Sequence, residues 1–134
     1  MTKTKTININ CGFDKAYDFL SDPQNWPQFA IHNVLSIEAE SFENGYYRIE
    51  TPRGTGALKL FCSRELGILD HELIDANEAA WKVPARIVPT EDGCHFMMTF
   101  TKPELMPHDL FDQGMLLLDE ELAQLKIILE TNNH

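Results

Sequence analysis

The chain of 134 residues is the length of one ordinary globular domain, and its 43% hydrophobic and 24% charged residues exclude a disordered tail and a fibrous repeat. Lys and Arg total 11 against 21 Asp and Glu, a formal charge of -10, which is the wrong sign for a protein that gains affinity by neutralising phosphates, so no nucleic acid partner is expected. The acidity is uneven: residues 1–60 carry 6 basic and 7 acidic side chains, residues 61–134 carry 5 and 14, and that field suits a neutral or mostly apolar partner.

Thr2 to Asn10 alternates, with an Ile7-x-Ile9 pair, and predicts a half-buried strand. Phe13, Ala16, Tyr17 and Leu20 then fall at i, i+3, i+4 and i+7, one face of a short amphipathic helix that Asp22-Pro23 closes. The aromatic, proline-bounded stretch Gln24 to Phe29 predicts a second helical turn whose Trp26 and Phe29 dock on a larger surface. From Val34 to Lys102 the pattern is strands broken by turns. Glu43-Asn44-Gly45 separates a strand over Val34 to Phe42 from one over Tyr46 to Thr51, and the following turns are 53–56, 65–67, 75–78 and 91–93. Links this short predict an antiparallel meander. Phe111, Met115, Leu118, Leu122, Leu125 and Leu129 mark a long helix from His108 to Glu130, about 34 Å at 1.5 Å per residue, enough to cross a sheet. The acidic run Asp119-Glu120-Glu121 is its expected solvated side, and Gly114 is locally unfavourable within it.

Several chemistries find no motif. Cys11, Cys62 and Cys94 are odd in number and widely spaced, which predicts reduced, mostly buried thiols and neither a disulfide framework nor a thiolate metal site. The histidines at 32, 71, 95, 108 and 134 show no HxH or HExxH, so no metal is expected. No GxSxG elbow surrounds a serine, and Gly54-Thr55-Gly56 reads as a hairpin turn, since no helix follows it to form a phosphate cradle. No cofactor is predicted. The longest apolar run, Met115 to Leu118, predicts no membrane span, and the amino terminus lacks the apolar stretch of a secretory signal, so the expected compartment is cytoplasmic.

The order strand, helix pair, antiparallel strands and long terminal helix, with Ala16-Tyr17-Asp18-Phe19-Leu20-Ser21-Asp22-Pro23 followed by Trp26, resembles the START/Bet v1-like (SRPBCC) superfamily. Within it, the chain is similar to small bacterial proteins grouped as polyketide cyclase/dehydrase-like. The resemblance spans residues 1–134 and implies one α+β helix-grip domain: a curved antiparallel sheet wrapped around a long C-terminal helix, with two short helices after the first strand. It also implies a cavity between sheet and helix that receives a hydrophobic molecule.

Alternation places Tyr47 and Ile49; Leu58, Leu60 and Cys62; Leu69, His71 and Leu73; Trp81 and Val83; and Phe96, Met98 and Phe100 on the inner face. Each either fills the core or lines a pocket. The candidate ligand-binding set is Tyr47, Ile49, Leu60, His71, Leu73, Trp81, Phe96, Met98, Phe100, Met115 and Leu118. His71 is either a hydrogen-bonded core histidine or a polar anchor, and Tyr47 poses the same choice; the adjacent Asp70 and Glu72 point to the opposite face. Binding of a small hydrophobic or amphipathic ligand is the leading reading. An aromatase/cyclase-type enzyme with His71 or Tyr47 as acid or base is the alternative, and a protein-interaction module would need a solid interior and an external apolar patch. Monomer and homodimer are equally compatible with the sequence.

Overall fold

The computed structural model describes residues 1–77 and 79–131. Its strands are β1 (Thr2–Ile9), β2 (Ser36–Ile37), β3 (Tyr47–Thr51), β4 (Gly54–Ser63), β5 (Ile68–Ile74), β6 (Ala80–Val83), β7 (Ala85–Pro89) and β8 (Cys94–Thr101). Two α-helices, α1 (Phe13–Leu20) and α2 (His108–Thr131), and a 3-10 helix (Pro23–Gln28) complete it. All the strands join one antiparallel sheet in the order β1-β8-β7-β5-β4-β3-β2, with β6 paired to β5. The first and last strands are neighbours, from Thr2 opposite Thr101 to Ile9 opposite Cys94. The sheet is not closed, because β1 and β2 remain edges.

The two helical pieces after β1 follow from local chemistry. Ala16, Tyr17 and Leu20 bury one face of α1. The chain then turns extended at Asp22, as the residue before proline must, and the Asp22 carboxylate accepts the Gln24 N–H at 3.0 Å, capping a 3-10 helix with Pro23 in its first turn. Trp26 and Phe29 are buried, and the Trp26 indole N–H donates to the Leu20 carbonyl at 2.9 Å, tying the second piece to the end of α1.

The inner face of the sheet packs against α2. Leu58, Leu69, Val83, Ile87, Phe96 and Met98 share one core with Phe111, Met115, Leu118, Leu122, Leu125 and Leu129. The Trp81 and Phe111 rings stack at 6.3 Å between centroids. On β1, Lys3 and Lys5 continue the inward-facing set of Ile7 and Ile9 to the sheet edge, where they pair with Asp112 at 3.3 Å and Asp119 at 3.0 Å. The stripe on α2 and the helix-grip arrangement are as the sequence predicts.

Three expectations are corrected and one turn is met. The strand expected over Val34 to Phe42 is only two residues long, because Glu38 to Glu43 is mostly exposed and polar and offers the sheet no continuous apolar face. The hairpin turn expected at Glu43-Asn44-Gly45 is in place as a three-residue loop: the Gly45 N–H donates to the Phe42 carbonyl at 2.9 Å, and Gly45 lies at φ 86, the left-handed region it can enter freely. The turn expected at 53–56 sits at Pro52-Arg53 instead, since Thr51 pairs with Gly54, and Gly54 and Gly56 belong to β4. Gly56 is required there, as a Cβ would stand 2.3 Å from the Ile74 carbonyl oxygen. Finally, the segment after the turn at 75–78, of which Glu78 lies outside the described residues, is two strands. Pro84 has no N–H for a ladder, so the β5–β6 pairing stops at Val83, and β7 beyond it pairs with β8 on one side while meeting β5 again at Arg86 opposite Ile68. The Asp70 carboxylate fills the gap by accepting the Ala85 N–H at 2.8 Å.

Candidate functional site

Between the sheet and the N-terminal half of α2 lies a pocket of about 380 Å³, within the size range that holds small organic ligands. β5, β6 and β8 give it Leu73, Trp81, Val83, Met98 and Phe100; the 3-10 helix and the following loop give Trp26, Phe29 and Val34. The exposed residues Asn33, Pro52, Arg53 and Leu110 rim its mouth, with His32, Thr51, Asp75 and Met106 half-buried on the same lining. From α2 come Phe111, Met115 and Leu118 of the core stripe and a second row, Leu110, Gly114, Leu117 and Glu121, offset by one residue with spacings of 4, 3 and 4. Gly114 is part of the wall, and a Cβ built on it would meet no atom within 4 Å. The missing side chain therefore leaves space beside the helix.

His71 projects from β5 into this wall and is 5% exposed. Its Nδ1 lies 3.1 Å from the Leu69 carbonyl oxygen, which can only accept, so Nδ1 carries the proton. Desolvation lowers its pKa to about 4, which keeps the ring neutral at physiological pH. Its face meets the edge geometry of Trp26, with ring centroids 4.7 Å apart. Among the described residues no enclosed side-chain nitrogen or oxygen lacks a partner. With Nδ1 engaged on Leu69, Nε2 is thus left open to the pocket as an acceptor. His71 is both of the things the sequence offered, a hydrogen-bonded buried histidine and a polar group on the wall.

Glu121 is the residue the sequence reading misplaced. It is not on the solvated side of α2 but 2% exposed, on the pocket wall. Its carboxylate accepts the His32 backbone N–H at 2.8 Å and the Asn33 side-chain amide at 3.1 Å on each oxygen. Burial outweighs these bonds and raises its pKa to about 7. The signal was present, since Glu121 stands three residues after Leu118 and four before Leu125, but an acidic triplet masked it. Its neighbours Asp119 and Glu120 are exposed as expected.

Of the proposed ligand-binding set, His71, Leu73, Trp81, Met98, Phe100, Met115 and Leu118 stand on the pocket wall. Ile49 and Phe96 are buried in the core away from it, and Tyr47 and Leu60 are half-buried and off the wall. Asp70 and Glu72 point away from His71: Asp70 serves Ala85, and Glu72 accepts the Tyr46 hydroxyl on the outer face. Cys62, expected on the inner face and buried, is exposed, because it lies at the far end of β4 beyond the cover of α2. Cys11 and Cys94 are buried thiols; desolvation pushes Cys94 up to about 12 and Cys11 upward, so neither is a thiolate nucleophile. Among the described residues no three His, Cys, Asp or Glu side chains converge to hold a metal, and no helix is long and apolar enough to cross a membrane. His134 lies outside the described residues.

No family model matches the sequence, and no curated protein matches it. Solved structures do. A protein from Mesorhizobium loti superposes with a TM-score of 0.79 over 100% of both chains at 12% identity. A START superfamily protein from Mycobacterium smegmatis gives 0.68 over 97% of both chains at 13% identity. DynU16, a protein of the dynemicin biosynthetic locus, gives 0.75 at 12% identity; it covers 98% of this chain, which spans about half (48%) of DynU16. The chain has the START-like helix-grip fold. At these identities the likeness speaks for the fold alone.

Proposed function

We propose that this chain binds a small hydrophobic or amphipathic molecule, one per domain, in the pocket between the sheet and α2. One observation carries the reading: the apolar stripe of α2 and the apolar face of the sheet do not close on each other over residues 110–121 but leave about 380 Å³ walled largely by Trp, Phe, Leu and Met side chains, with His71 and Glu121 as the buried polar groups on the wall. Small-molecule sites have that composition, and the two methionines on the wall, Met98 and Met115, adapt to irregular shapes. The formal charge of -10 favours a ligand without negative charge. Native mass spectrometry of the chain purified from its own host is expected to show one adduct of small mass that denaturation releases. A bare chain, together with no uptake of any neutral apolar probe, contradicts the proposal.

A second reading, proton transfer of the aromatase/cyclase type, is favoured by His71 and Glu121 lining one cavity with pKa values displaced in opposite directions. Tyr47 has no place in it, being off the wall. Under this reading His71→Ala abolishes turnover of a poly-β-keto substrate; absence of turnover in the unmodified chain leaves binding alone.

A further inference from the structure

Three side-chain donors on the pocket wall are already engaged by the protein. The Trp26 indole N–H donates to Leu20, the His71 Nδ1–H to Leu69, and the Asn33 amide to both oxygens of Glu121. Of the buried polar side chains on the wall, His71 leaves its Nε2 lone pair toward the space, and Glu121 presents carboxyl oxygens that already accept from His32 and Asn33. A ligand that fills the pocket displaces the water these acceptors would otherwise use, and a buried acceptor left facing a methylene chain costs its full desolvation. The ligand must bring donors to them.

Resting on the reading of this pocket as a ligand site, we propose that it takes an apolar molecule carrying hydroxyl groups at its inner end and rejects the same carbon skeleton ending in a carboxylate. Above pH 7 a carboxylate placed at the inner end would meet the His71 lone pair and the Glu121 negative charge. Reversed, with its charge at the mouth, it would find Arg53, but Asp75 shares that rim, and its tail would lie against both acceptors. A hydroxyl satisfies either acceptor whatever the protonation of Glu121, since a protonated carboxyl keeps one carbonyl oxygen free to accept.

The test is displacement of the neutral probe N-phenyl-1-naphthylamine from the full chain at pH 8 by three ligands of one chain length: 1-decanol, methyl decanoate and decanoate. The expected result is that 1-decanol displaces the probe at about tenfold lower concentration than either of the others, the ester lacking a donor without carrying a charge. In Glu121→Gln, which removes the charge, the ratio of decanol to decanoate is expected to fall to about threefold or less. Equal potency of the three ligands in the unmodified chain, or preference for decanoate, overturns the proposal while leaving ligand binding intact. The unmodified chain decides this even where the Gln variant does not fold. Failure of the probe itself to bind overturns the proposal together with the reading beneath it.

Discussion

His71 and Glu121 face one cavity, and burial moves both toward neutrality by moving their pKa values in opposite directions. The consequences for stability are opposed. Glu121, raised from 4.5 to about 7, retains in the folded state a proton that the unfolded chain releases; its contribution is fully present below pH 4.5 and lost as pH rises through 7. His71, lowered from 6.5 to about 4, contributes above pH 6.5 and loses that contribution as pH falls through 4. Between pH 4.5 and 6.5 the two slopes offset each other. Glu121→Gln removes one of them, so its stability relative to the unmodified chain is expected to climb between pH 4.5 and pH 8, by an amount on the order of 3 kcal/mol. Urea midpoints at a series of pH values measure this, and a difference constant with pH contradicts the burial assigned to Glu121. The position of Glu121 was masked in the sequence, because a carboxylate within an acidic run reads as solvent-facing; the His32 and Asn33 donors, 89 and 88 residues away, make its burial tolerable. His71 was legible through strand alternation, although its tautomer was not.

At the scale of elements, α2 carries two rows with different tasks. The core row is uniformly apolar and declares itself by period; the pocket row, Leu110, Gly114, Leu117 and Glu121, mixes Gly and Glu with Leu and so has no hydropathic signature. The division between β6 and β7 escaped sequence reading for a related reason. Trp81, Val83, Ala85 and Ile87 alternate inward straight through Pro84, so the side-chain pattern is that of one strand although the ladder with β5 is interrupted and β7 adds β8 as a partner. Asp70 holds that junction through the Ala85 N–H. Asp70→Ala leaves this donor unpaired and is expected to lower stability by about 1–3 kcal/mol, while Asp70→Asn, which keeps an acceptor oxygen, loses less. Denaturant unfolding of the two variants checks the order; equal losses would remove the bond from its role.

Across the whole molecule, the halves of the sequence meet along β1 and α2. Lys3, Lys5 and Lys15 of the nearly neutral half engage Asp112, Asp119 and the Leu129 carbonyl of the acidic half, and Lys126 returns the contact to the Asn8 carbonyl at 2.7 Å. Exposed pairs of this kind are worth about 0–1 kcal/mol each, so they orient the helix more than they hold it; the apolar stripe does the holding. The antiparallel run of strands and the long terminal helix were readable because period-2 and period-3.6 patterns persist over many residues, whereas the pairing of β1 with β8 was not. The pocket was not, because an enclosed space is the difference between two surfaces, and neither surface alone records how far apart they stand. The measurement that reaches the central claim most directly is titration of the chain with N-phenyl-1-naphthylamine, followed through Trp26 and Trp81 emission, beside Gly114→Phe, whose ring would enter the open space at the helix wall. The account predicts saturation at one probe per chain in the unmodified protein and at least tenfold weaker uptake, roughly 1.4 kcal/mol, in a folded Gly114→Phe chain. Equal uptake by both chains, or none by either, would contradict it.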